Sequence, residues 1–120
     1  MKILVAEDER AGRKLITFML SGDHEVLAVE SADEAAYQLD NGKWDLLLTD
    51  YKMPGKSGIE LIESLLSSGS TIPVILMTGQ TSKDQTVEVF RDKVHKVLSK
   101  PFTKEELAAA IADVQPAVSG

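Results

Sequence analysis

The hydrophobic period of this chain switches back and forth between strand-like and helix-like spacing, and that alternation limits the fold more than any other feature. Short apolar runs stand at KILVA (residues 2–6), EVLAV (25–29), DLLLT (45–49), PVILM (73–77) and HKVL (95–98). Several lack polar alternation, as expected of strands buried on both faces of a parallel sheet. Between them lie amphipathic segments at 11–20, 32–39, 58–66, 82–91 and 104–114. Three begin as capping boxes, with a hydroxyl residue followed three positions later by an acid: Ser31 with Glu34, Ser57 with Glu60, and Thr103 with Glu106. Strand and helix alternate to residue 114. The expectation is one α/β domain over residues 1–114, a doubly wound five-stranded parallel sheet with right-handed crossovers. QPAVSG (115–120) reads as a tail or truncated linker.

Composition narrows the function classes. The 120 residues suit a single domain with a real core. No cysteine is present, which excludes disulfides, thiolate metal sites and a cysteine nucleophile. The opening MKILVAEDER breaks into acids too early for a signal peptide or a membrane span, so the expected location is the cytoplasm. With 13 basic and 19 acidic residues the net charge is -6, the wrong sign for neutralising nucleic-acid phosphates.

Ligands of open α/β sheets bind beyond the carboxyl ends of the strands. The first strand delivers Glu7 and Asp8 to that edge, the third Asp50, the fourth Thr78 and then Gly79, and the fifth Lys100 and Pro101. Each has an ordinary explanation. Asp50 can start a turn, Glu7 and Asp8 can complement the following helix dipole, and Lys100 can be a solvated charge. Their convergence is harder to explain that way, because clustered acids repel unless a cation joins them. An oxygen-rich site of this kind suits Mg²⁺. A carboxylate there, with a lysine and a hydroxyl nearby, can accept a phosphoryl group.

The stretches ILVAEDE, DLLLTDYKMPGKSG, VILMTG and VLSKPF, in that order at the ends of the first, third, fourth and fifth strands, resemble the receiver domain of bacterial two-component response regulators. The resemblance runs from about residue 2 to residue 114 and implies a flavodoxin-like sheet of strand order 2-1-3-4-5. By resemblance, Asp50 is the phosphoacceptor, supplied by a phosphohistidine on a sensor histidine kinase or a histidine phosphotransfer protein. Glu7 and Asp8 match the Mg²⁺-holding acids, with Asp50 and the backbone carbonyl of Lys52 completing the protein's share. Lys100 matches the lysine that pairs with the acceptor, and Thr78 the hydroxyl that bonds the phosphoryl group. The family pattern also implies a cis Lys100–Pro101 peptide. Output domains or downstream partners are implied to meet the region 82–114.

Some positions depart from the common pattern. Glu7 stands where many receivers have Asp, and Val97 where many have Tyr or Phe; valine has no comparable inward swing, so it is expected to pack in its strand. Gly79 leaves space beside Thr78. Lys52 and Gln80 are expected to flank the path of an attacking water, Lys52 excluding it and Gln80 orienting it; a solvated Lys52 is the alternative.

Other classes fit less well. A haloacid-dehalogenase-like phosphatase needs a second aspartate where Lys52 stands, and no Gly-x-Gly-x-x-Gly follows the first strand for a dinucleotide. The remaining alternative is a degenerate receiver acting as a phosphorylation-independent binding module. His24 and His95 show no metal-ligand spacing. Trp44 reads as a packing cap.

Overall fold

Five parallel strands form one sheet in the order β2-β1-β3-β4-β5. A computed structural model describes residues 1–79 and 85–114 of the chain. The elements run β1 (Lys2–Ala6), α1 (Arg10–Leu20), β2 (Glu25–Val29), α2 (Ala32–Asn41), β3 (Leu46–Asp50), α3 (Gly58–Ser67), β4 (Val74–Thr78), α4 (Gln85–Phe90), a 3-10 turn at Arg91–Lys93, β5 (Lys96–Ser99) and α5 (Lys104–Val114).

Burial follows position in the sheet. The central strands β3 and β4 are buried throughout, and β1 nearly so, which is why their sequences carry unbroken apolar runs. The edge strands β2 and β5 keep exposed residues. Successive side chains then divide the core between the two faces. Leu4, Leu47 and Leu76 meet Ala35, Ile62 and Phe90 on the α2, α3 and α4 side. Ile3, Leu48 and Met77 meet Ile16, Leu107 and Ile111 on the α1 and α5 side.

The helices start as the sequence indicates. Ser57 with Glu60 and Thr103 with Glu106 form reciprocal capping boxes. At α2 the box is displaced by one: Ser31 accepts from Glu34 N, but Glu34 Oε2 accepts from Glu30 N.

Three strands differ from the apolar-run boundaries by one residue. β3, β4 and β5 each begin and end one position later, so that Asp50 and Thr78 are the last residues of their strands rather than the first residues beyond them. Pairing, not apolarity, sets these ends: Asp50 is in register with Met77, and Thr78 with Ser99. Of the fourth helix expected at 82–91, the described residues show Gln85–Phe90, which tightens into the 3-10 turn one residue before the expected end; residues 82–84 lie outside the described residues. Gln80 and the 115–120 segment lie outside them too. Trp44 packs on the core with Nε1 donating to Gln38 O at 3.0 Å. Among the described residues no helix is long and apolar enough to cross a membrane.

Candidate functional site

The carboxyl edge of the sheet gathers the polar residues that the core contains. Glu7, Thr49, Asp50 and Thr78 are buried, and all but Thr49 end or follow a strand at that edge. Glu7 continues β1 by one residue, its N–H donating to Val29 O at 3.0 Å, and is fully buried. Asp8 follows, half-buried.

Lys100 reaches this group from beyond β5. Its N–H donates to Thr78 O at 2.7 Å, and the Lys100–Pro101 peptide is cis, as the family pattern implied. Its Nζ lies 2.6 Å from Glu7 Oε1 and 2.9 Å from Asp50 Oδ2, so one ammonium extends past β4 and joins residues at the ends of β3 and β1.

The turn after β3 is built around the acceptor strand. Met53 is buried, and Gly55 has φ 79, a backbone conformation suited to glycine. Gly58 donates to Tyr51 O at 2.8 Å, and a Cβ at Gly58 would overlap the Asp50 carbonyl oxygen. Glycine is therefore required here by space.

Electrostatics sets Asp50 apart. Burial penalises its ionised form; the Lys100 hydrogen bond works against that, the charge of Glu7 adds to it, and the pKa is raised to about 6. For Lys100, burial pulls the ammonium down, but the bonds to Glu7 and then Asp50 more than offset it, and the net shift is upward. Carboxylate oxygens of Glu7, Asp8 and Asp50 lie within 4.8 Å of one another. Three carboxylates share one lysine, so the cluster keeps a negative surplus that a cation would offset. The donors also fit, being hard oxygens of the kind Mg²⁺ takes. Glu7 Oε1 is engaged by Lys100 and Oε2 by Glu9 N at 3.1 Å, which leaves Asp8 and Asp50 the more available acids.

Thr78 Oγ1 is buried, and among the described residues it has no hydrogen-bond partner. An unsatisfied hydroxyl at the rim of an acidic site is a group waiting for an acceptor. Among the described residues, nothing stands within 4 Å of where a Gly79 Cβ would be. Beside the group runs a cleft of about 400 Å³ between Glu7, Gly12 and Leu15 on one wall and Gly79, Lys100 and Phe102 on the other.

The structure thus brings Glu7, Asp50 and Lys100 into direct contact, with Asp8 beside them and Thr78 at the neighbouring strand end. Lys52 is exposed, its Nζ 5.8 Å from the Tyr51 ring centroid, and is not paired with Asp50. Val97 packs half-buried against the core on the α2, α3 and α4 face. The sequence reading missed Arg13, whose Nη1 donates to both Glu7 O (2.9 Å) and Asp8 O (2.8 Å). Its position five and six residues after those acids was the available signal.

Comparison with known proteins agrees with this geometry. The profile described as Response regulator receiver domain matches residues 3–112. The chain belongs to that family. The two-component response regulator PhoP of Pseudomonas aeruginosa is 37% identical over 112 residues, covering 92% of this chain and 50% of PhoP. The chemotaxis protein CheY of the same organism is 30% identical over 124 residues, with both chains covered in full. The chain therefore spans about half the length of PhoP and the whole of CheY. Among solved structures, the response regulator TrrA of Thermotoga maritima, in complex with Mg²⁺-BeF, superposes with a TM-score of 0.84 at 25% identity, covering 94% of this receiver and 97% of TrrA.

Proposed function

We propose that this receiver, residues 1–114, accepts a phosphoryl group on Asp50 from a phosphohistidine, and that the modification alters the surface read by downstream partners. The observation that carries this reading is the Lys100 ammonium bonded at once to Glu7 and Asp50, within a cluster of three acids.

Asp8 and Asp50, with Glu7 and the backbone carbonyl of Lys52, are the groups to hold Mg²⁺. When bound there, the ion supplies positive charge against the phosphoryl oxygens. The chain's own residues do the rest. The free Asp50 oxygen attacks phosphorus in line. The P–N bond of the phosphohistidine breaks, and its electron pair stays on the imidazole, which leaves neutral after taking a proton. Lys100 neutralises charge on the transferring oxygens, and Thr78 Oγ1 finds in the phosphoryl group the acceptor it lacks. TrrA, whose structure is a complex with Mg²⁺-BeF, supports the chemistry by similarity.

The donor is a sensor histidine kinase or a histidine phosphotransfer protein, approaching along the cleft beside Asp50. The exposed Leu15 and Phe18 of α1 offer apolar surface for it. The downstream face lies in the region 82–114, where Val89 is exposed. The domain works in the cytoplasm, binds neither nucleic acid nor membrane itself, and turns over no external substrate beyond its own phosphorylation and dephosphorylation. A phosphorylation-independent binding module is not favoured, because the acceptor, acids and lysine are all present and assembled.

The test is transfer from an autophosphorylated histidine kinase, followed by borohydride reduction and peptide mapping. Label at Asp50, absent in Asp50→Asn, is expected. Label at another residue would overturn the assignment.

A further inference from the structure

Arg13 lies on the first turn of α1 and faces back to the loop that carries the acidic pair. Its Nη1 donates to Glu7 O at 2.9 Å and to Asp8 O at 2.8 Å. Its Nη2 stands 3.7 Å from Glu30 Oε2 at the end of β2. The Arg13 side chain is 20% exposed and that of Glu30 is 65% exposed. The Glu30 contact is therefore a weak surface pair, and the charge-assisted bonds to the two carbonyls are the stronger links.

The two acids differ in what else fixes them. Glu7 is held by its own N–H on Val29 O, by Lys100 on Oε1 and by the Glu9 N–H on Oε2. A Cβ on the neighbouring Gly12 would come within 3.0 Å of the Glu7 carboxyl carbon, so packing confines that side chain as well. Asp8 has none of these supports. Among the described residues its carboxylate takes no hydrogen bond or ion pair, and its carbonyl is held by Arg13.

We propose that Arg13 is a positioning residue for the cation site: by clamping the Glu7 and Asp8 carbonyls it holds the Asp8 carboxylate where a divalent cation is bound. This inference rests on the cation site of the proposed function. Two effects of Arg13 on that site have opposite signs. Its positive charge opposes a cation nearby, whereas its two hydrogen bonds preorganise the ligand. If charge dominates, removing Arg13 tightens Mg²⁺ binding; if positioning dominates, removal weakens it.

The experiment is calorimetric titration of the unphosphorylated protein with Mg²⁺, for wild type, Arg13→Met and Arg13→Lys, with Tm recorded in EDTA. Arg13→Met is expected to weaken Mg²⁺ affinity by about tenfold or more, the usual consequence of losing a group that orients a metal ligand. Arg13→Lys, which keeps the charge and can still donate but on a shorter side chain, is expected to fall between the two. Saturating Mg²⁺ is expected to restore the rate of phosphorylation in both variants, which a general loss of structure would not allow. Affinity in Arg13→Met within about threefold of wild type, or tighter, overturns the inference while leaving the cation site standing. If Arg13→Met does not fold, Arg13→Gln, whose amide is too short to reach both carbonyls, decides: wild-type affinity in that variant overturns it equally. Wild-type protein that binds no Mg²⁺ overturns the cation site and this inference together.

Discussion

Lys100 gives its shorter bond to Glu7, 2.6 Å against 2.9 Å to Asp50. Glu7 is fully buried and takes the closer contact, so the lysine's charge is shared and Asp50 receives only part of it. Burial and the nearby Glu7 charge then raise the Asp50 pKa to about 6. An acceptor held this way is poorly satisfied by the protein alone, which suits a group that must meet a cation and then a phosphoryl group.

That raised pKa has a consequence for stability without metal. The folded state binds a proton more tightly than the unfolded chain, whose aspartate has its ordinary value of 3.8. The contribution of Asp50 protonation to stability is thus fully present below about pH 4 and is lost as pH rises through about 6. Asp50→Asn removes the titration. In EDTA it is expected to be more stable than wild type at pH 7.5 by about 2–3 kcal/mol, since each tenfold gain in proton affinity on folding is worth about 1.4 kcal/mol, with the gap closing towards pH 4.5. Urea denaturation at the two pH values checks this. A wild type that is the more stable of the two at pH 7.5 contradicts it.

Thr78→Val tests the unpartnered hydroxyl, and its two effects have opposite signs. Removing a buried, unsatisfied Oγ1 is expected to leave the unphosphorylated protein unchanged or more stable by about 1 kcal/mol. The same variant loses a bond to the phosphoryl group, so beryllofluoride is expected to raise its Tm less than it raises that of wild type. Equal shifts would mean that Thr78 does not meet the ligand.

Gly58→Ala places a methyl group against the Asp50 carbonyl oxygen. The end of β3 or the start of α3 must move, at a cost of about 1–3 kcal/mol, as for other overpacked sites. Because Asp50 itself is displaced, the phosphorylation rate is expected to fall even where the protein stays folded. Unchanged stability and rate would show that the turn absorbs the methyl group freely.

Lys52 stands two residues past the acceptor with an exposed ammonium near the Tyr51 ring. The role expected of it from the sequence is to pair with the phosphoryl group and exclude water. Lys52→Ala is expected to shorten the lifetime of the acyl phosphate severalfold, measured by loss of the phosphorylated mass over time. An unchanged lifetime assigns Lys52 to solvent.

The alternation of buried strands and amphipathic helices was legible because it is written in local periodicity. So were Glu7, Asp8, Asp50, Thr78 and Lys100, since the strand-end rule converts chain position into a place on one edge. The strand ends themselves were not. Asp50 and Thr78 are polar and break the apolar runs, and only their pairing with Met77 and Ser99 extends the strands to include them. Nor was the division of Lys100 between two acids, because that depends on side chains nearly a hundred residues apart meeting in space. Arg13 escaped notice because it acts on backbone carbonyls, and its spacing from the two acids was the one sign of it in the sequence.

The most direct measurement is the intact mass of the protein after incubation with acetyl phosphate and Mg²⁺, and in parallel with a phosphohistidine donor. The account predicts addition of one phosphoryl group to wild type, none to Asp50→Asn, and none to wild type in EDTA. Wild type that stays unmodified by both donors, or Asp50→Asn modified as fully as wild type, would contradict it.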